Sequence, residues 1–226
     1  MSSPCRQAVV FDLDGTLVDS LPHVLAAFTH ALAPYMDRPI TLEMFAQFGG
    51  PPWRLFPQLV RDRREVAGAM ERLCDYNARH GHRPNLFAGV RPVLETLHAH
   101  GAQLAIWTGR DRASAQSILR LHRLEPLFAA VVCGDDLPSH KPDPAGLRLV
   151  LERLGAEPDQ TLYLGDADVD VLAGHACGVP TVLIGGARQA ADDVRRKAWR
   201  EVARPEDGYR VALEWAGAVL PGLSAC

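Results

Sequence analysis

The sequence predicts an α/β fold: a doubly wound parallel sheet, Rossmann-like, with a small helical cap domain inserted after its first strand. Three observations carry this reading of the 226-residue chain. Five short apolar runs, at 8–11, 103–107, 129–133, 161–164 and 180–184, are continuously hydrophobic rather than alternating, as strands covered by helices on both faces are. Amphipathic stretches at 89–100, 111–122, 143–154 and 168–177 alternate with them, as parallel crossovers require. About ninety residues separate the first run from the second, far more than a crossover needs.

In chain order, AVVF (8–11) stops at DLDGT. Asp19 and Ser20 then suit a helix N-terminus. Residues 21–84 hold no strand-like run but show helical periodicity in AAFTHAL, LEMFAQF and REVAGAMERLCDYNA. A helical cap is therefore expected at 21–84, with 1–20 and 85–226 forming the core, and the Gly- and Pro-rich FGGPPW (48–53) reads as a turn within the cap. QLAIW (103–107) runs into TGR, and Asp111 before RASAQS is a helix cap. AAVVC (129–133) runs into GDD, and Pro142-Asp143-Pro144 opens the next helix. TLYL (161–164) meets GDADVD and PTVLI (180–184) meets GGA. In the tail a helix at 189–199, a short strand near 200–203 and a last helix at 206–217 are expected.

Composition narrows the function. With 24 basic and 27 acidic side chains the formal charge is −3, which speaks against a nucleic-acid surface built on a basic stripe. No apolar run approaches the roughly eighteen residues of a membrane span. Acidic residues interrupt the first apolar run, so no signal peptide is expected. Cys5, Cys74, Cys133, Cys177 and Cys226 are odd in number without CxxC spacing, which fits a reduced, cytoplasmic chain. Of the basic residues 22 are Arg and two are Lys, Lys141 and Lys197, a coding bias that makes the position of each lysine informative.

The chemistry gathers at the predicted strand ends, where open α/β sheets bind ligands. Four loops stand there: Asp12-Leu13-Asp14-Gly15-Thr16, Thr108-Gly109-Arg110, His140-Lys141-Pro142, and Gly165-Asp166-Ala167-Asp168-Val169-Asp170. Crowded carboxylates need a cation, and hard oxygen ligands with few neighbours suit Mg2+. Calcium loops are excluded, because the sixth and twelfth positions of an EF-hand fall on Leu17 and His23, or on Val171 and Cys177. Helix capping remains an alternative for individual Asp residues, Asp168 above all.

FDLDGTLVDS (11–20), the threonine of WTGR (107–110), the lysine of HKPDP (140–144) and LGDADVD (164–170) resemble the four ordered motifs of the haloacid-dehalogenase-like hydrolases. Within that superfamily FDLDGTLVDSLP looks most like the phosphoglycolate phosphatase-like branch, and the insertion resembles the family's helical cap. The resemblance implies a Mg2+-dependent phosphatase that hydrolyses a small phosphorylated metabolite through an aspartyl-phosphate. Asp12 would be the nucleophile and Asp14 the general acid and base. The metal would be held by Asp12, the backbone carbonyl of Asp14, Asp166 and, through water, Asp170. Thr108 and the Gly109 N–H would bind a phosphoryl oxygen, and Lys141 would stabilise the transferring group and orient Asp12.

One departure is visible: the branch usually continues its second motif Thr-Asn, where this chain has Thr108-Gly109-Arg110. Arg110 and, in the cap, Arg54 are candidates for contact with an anionic leaving group, with Trp53 as an apolar wall. The cap segment 21–84 carries eight Arg and six acids, a net +2 over an acidic site. Rival readings are a sugar-phosphate mutase of the same superfamily, a haloacid dehalogenase and a non-catalytic binding protein. Asp14 argues against the dehalogenase, Val24 in place of a His just beyond His23 disfavours the mutase, and the intact Asp12, Asp14, Lys141 and Asp166 argue against an idle scaffold.

Overall fold

The first apolar run becomes the middle of the sheet. In the computed structural model, which describes residues 7–37, 40–41, 44, 51–81, 83–185 and 190–220, β1 (Ala8–Phe11) is followed by two short strands, β2 (Val18–Asp19) and β3 (Asn85–Leu86). Then come β4 (Gln103–Trp107), β5 (Ala130–Val132), β6 (Thr161–Gly165), β7 (Thr181–Ile184) and β8 (Arg200–Val202). Six of them form one parallel sheet in the order β5-β4-β1-β6-β7-β8. Phe11 is level with Ile106 on one side and Leu164 on the other. The chain therefore winds outward in both directions from β1, which opens a crevice at the carboxyl ends of β1, β4 and β6.

Alternate residues of each strand serve opposite faces. Val9 and Phe11 pack with Leu104, Ile106 and Leu164 against α4 (Val90–Ala99), α5 (Arg112–Leu121) and α9 (Pro205–Trp215). Ala8 and Val10 pack with Trp107 and Tyr163 against α6 (Ala145–Leu154) and α7 (Asp168–Cys177). Burial on both faces is the reason these strands read as unbroken apolar runs.

The inserted segment forms α1 (Leu21–Leu32), α2 (Pro52–Leu59) and α3 (Val66–His80). These have an apolar centre of their own, with Phe28, Leu32, Phe56 and Leu73 buried together and Phe28 set edge-on to Phe56 at 5.2 Å. The segment leaves the core at β2 and returns at β3, and these two strands pair antiparallel, Val18 with Leu86 and Asp19 with Asn85. Phe87 N–H donates to the Leu17 carbonyl at 3.1 Å, extending the clamp. Pairs of two residues carry no periodicity, so the sequence does not announce them.

Two expectations change, and a third falls largely outside the described residues. Pro52 and Trp53 begin α2 rather than closing a turn, with Pro where a first helical turn tolerates it; residues 48–50 of FGGPPW lie outside the described residues. Of LEMFAQF only Met44 is described. The helix expected at 189–199 is the short α8 (Asp192–Arg195), and residue 189 lies outside the described set. The tail strand and the last helix stand at β8 and α9.

Phe56 has no exposed surface. Phe56→Ala is expected to lower stability by about 3–5 kcal/mol, read from the midpoint of urea unfolding at unchanged slope.

Candidate active site

Asp12 directly follows β1, and its N–H donates to the Leu164 carbonyl at 2.8 Å, so sheet pairing holds the residue before the chain turns away. The turn is built on Gly15, whose φ is +75°. A Cβ there would stand 2.1 Å from Asp166 Oδ2, so the loop after β1 is pressed against the loop after β6. From α9, the Tyr209 hydroxyl donates to the Thr16 carbonyl at 2.5 Å and pins the same turn from behind.

Asp12, Asp166 and Asp170 are all buried, and their carboxylate oxygens lie within 4.8 Å of one another. One buried ammonium faces them. Lys141 Nζ lies 2.7 Å from Asp12 Oδ1, 2.7 Å from Asp170 Oδ1 and 2.8 Å from the Trp107 carbonyl. It also sits 4.8 Å from the centre of the Trp107 ring. Asp170 is fixed further by the Tyr163 hydroxyl at 2.6 Å and the Ala167 N–H at 3.0 Å. The cap of α7 is thus made by Asp170, with Asp168 the first residue inside the helix.

Burial drives the electrostatics. It raises the Asp12 carboxyl to about 7, against the pull of Lys141 and with the help of Asp170 and Asp14. Burial alone would lower the Lys141 ammonium, but Asp12 and Asp170 outweigh it and hold the group above its ordinary value. Tyr163 is likewise pushed up by burial and by Asp170, so it stays a donor. One ammonium against three carboxylates leaves excess negative charge on hard oxygen donors, and a divalent cation fits that set.

Asp14 belongs to a second group. Arg110 Nε and Nη2 reach its two oxygens at 2.7 and 2.6 Å, a planar fork, and the Ser20 hydroxyl donates to Oδ1. Ser20 stands at the N-terminus of α1 as expected, but it is fully buried and makes no side-chain cap; its hydroxyl turns to Asp14 instead. Thr108 follows β4, donates its N–H to the Val132 carbonyl at 3.0 Å and accepts the Arg110 N–H on Oγ1 at 3.2 Å. Asp14, Thr108, Gly109 and Arg110 line a cavity of about 390 Å³ between the sheet crevice and the inserted helices.

The four loops thus bring Asp12, Asp14, Thr108, Gly109, Arg110, Lys141, Asp166 and Asp170 to one cavity. Arg54 stands elsewhere: its guanidinium donates to the Pro138 carbonyl in the loop before Lys141, and it is not among the lining residues. Trp53 is exposed, and its neighbours Pro52 and Leu55 supply the wall instead. Sequence reasoning missed Ser20, Tyr163 and the His23–Asn77 pair, joined at 3.0 Å on the cavity's upper side. Tyr163 lies inside an apolar run and nothing in the pattern separates it from a core aromatic.

A doubly wound parallel sheet with acids, an ammonium and a threonine at adjacent strand ends, beneath helices inserted after the first strand, defines an α/β enzyme of carboxylate chemistry. The model of the haloacid dehalogenase-like hydrolases matches residues 9–184, and the chain belongs to that family. It is an enzyme of the family's phosphatase branch. It is 33% identical to the pyrophosphatase PpaX of Halalkalibacterium halodurans over 83% of this chain and 87% of that one. It is 35% identical to the phosphoglycolate phosphatase of Cereibacter sphaeroides over 76% of this chain and 81% of that one. Among solved structures, a hydrolase from Pseudomonas syringae superposes with a TM-score of 0.75 at 25% identity, covering 92% of this chain and 99% of that chain. One assigned as a β-phosphoglucomutase, from Thermotoga maritima, gives 0.68 at 26%, covering 92% and 99%.

Gly15→Ala forces a side chain into positive φ and onto the Asp166 carboxylate. Stability is expected to fall by about 1 kcal/mol or more and activity by about 10–100-fold, measured by thermal unfolding and by phosphate release.

Proposed function

We infer that this protein is a Mg2+-dependent phosphomonoester phosphatase working through an aspartyl-phosphate on Asp12. The observation that carries the reading is the Lys141 ammonium seated between Asp12 and Asp170, beside a buried carboxylate cluster that suits a divalent cation. Asp12, Asp166, Asp170 and the Asp14 carbonyl would hold the ion. When bound, it supplies charge neutralisation between an anionic nucleophile and an anionic phosphate.

Asp12 attacks phosphorus in line, forming an O–P bond while the ester P–O bond breaks. Asp14 gives its proton to the departing alkoxide, then takes one from the water that attacks the aspartyl-phosphate; the Asp12 O–P bond breaks and phosphate leaves. Lys141 stabilises charge on the transferring group and keeps the attacking oxygen of Asp12 aimed, while Thr108 Oγ1 and the Gly109 N–H bind a phosphoryl oxygen. Arg110 orients Asp14. Arg54, held on Pro138, bears on the site through the loop that carries Lys141.

Phosphatases and pyrophosphatases among the relatives at 33–35% identity support hydrolysis over phosphoryl mutation, and phosphoglycolate is one substrate to test. The net charge and the odd cysteine count without CxxC spacing agree with a small metabolite as partner, acted on in the cytoplasm.

Purified protein with Mg2+ is expected to release phosphate from a phosphomonoester panel, and EDTA to stop it. Asp12→Asn should abolish turnover and Asp14→Asn lower kcat by about 10²–10⁴-fold; release that survives Asp12→Asn refutes the nucleophile. Tyr163→Phe removes one tie on Asp170 and should raise the Mg2+ needed for half-maximal rate by about 10–100-fold.

A further inference from the structure

The leaving-group end of the cavity differs in character from the phosphate end. Below lie the carboxylates, Lys141 and Arg110; above lie Val24, Ala27 and Phe28 of α1, Leu55 of α2 and Leu73 of α3. These five aliphatic and aromatic side chains extend the apolar centre of the inserted helices into the cavity. The polar groups on that wall are His23 and Asn77, and they bond each other.

Among the described residues, no arginine of the insertion lines this wall. Arg54 turns to Pro138, Arg61 to Asp37, Arg64 to Asp62, Arg72 to the His30 carbonyl and Arg79 to Asp75. Among the described residues lining the cavity, the Lys and Arg cations are Lys141 and Arg110. Each is already set on carboxylates, Lys141 on Asp12 and Asp170, Arg110 on both oxygens of Asp14. A second anionic group on the leaving side would lose its water against apolar surface and meet no arginine among the described lining residues of the insertion, an unfavourable exchange. An aliphatic or aromatic body placed there removes apolar surface from water on both partners.

We propose that the enzyme acts on phosphomonoesters whose leaving group carries an uncharged apolar body, seated on Val24, Ala27, Phe28, Leu55 and Leu73, in preference to esters with a second anionic group there. This rests on the phosphatase reading and names the class of substrate within it. A volume of about 390 Å³ is large for a two-carbon acid and lies in the range of pockets that enclose small organic ligands.

The test is kcat/KM for phosphate release from ethyl, butyl and hexyl phosphate, whose leaving groups have similar basicity. A second pair is isobutyl phosphate and phosphoglycolate, which are close in shape and differ in the carboxylate. The expected result is a rise of about two- to fourfold per added methylene. Isobutyl phosphate should exceed phosphoglycolate about tenfold or more. Val24→Asp, at a half-buried position on the wall, should flatten the alkyl series. A flat or falling series in the unaltered enzyme, or phosphoglycolate as the better of its pair, overturns the proposal and leaves the phosphatase standing. No release from any ester, p-nitrophenyl phosphate included, overturns both.

Discussion

Three carboxylates share a buried space less than 5 Å across, and most of what surrounds them answers the repulsion this creates. Each buried ion costs several kcal/mol in lost hydration unless partners replace the water. Lys141 replaces part of it for Asp12 and Asp170 together, with the Trp107 carbonyl taking its third proton. The Tyr163 hydroxyl donates to the same Asp170 oxygen that Lys141 meets, and the Ala167 N–H donates to the other. Three carboxylates against one ammonium leave net negative charge in the crevice, which makes it a place for a hard cation and for a phosphate brought with it. The parallel sheet matters because adjacent strand ends bring residues 12, 107, 141 and 170 within one hydrogen-bonded cluster.

The site uses its two cations for different geometry. At Lys141 the acceptors converge from three directions, two carboxylates and a peptide carbonyl, which a compact ammonium with rotatable donors can meet. At Arg110 both acceptors belong to one planar carboxylate, which a guanidinium fork matches. A chain with 22 arginines and two lysines places one of those lysines at the convergent point. The composition that looks like coding bias therefore marks a position where arginine does not fit.

Legibility followed the physics that leaves a trace in sequence. Strands buried on both faces gave apolar runs, and reactive loops at their ends gave motifs, so the sheet and the residues of the four loops could be read from the chain. The clamp of β2 on β3 left no trace because two residues make no period. Ser20 looked like a helix cap because the same residue type serves both ends, and only its burial against Asp14 separates them. The charge of the insertion was countable but its direction was not: arginines at 54, 61, 64, 72 and 79 spend their donors on carbonyls and acids away from the cavity. Net charge is a property of a segment, whereas a substrate meets one face of it.

The Arg110–Asp14 pair has a consequence for the order of events. A guanidinium on both oxygens of Asp14 occupies the edge from which a proton would pass. For Asp14 to serve as the acid toward a leaving oxygen, the fork must open on at least one side. Ser20 keeps Asp14 in place while it does, since its hydroxyl holds Oδ1 from the opposite direction. In the proposed mechanism the phosphoryl group would bind beside Thr108 and Lys141, on the same side of the cavity as Arg110. The departure from Thr-Asn at the second motif puts no side chain at Gly109 and sets Arg110 on Asp14, so the general acid of that mechanism is tied to a cation supplied by the motif itself.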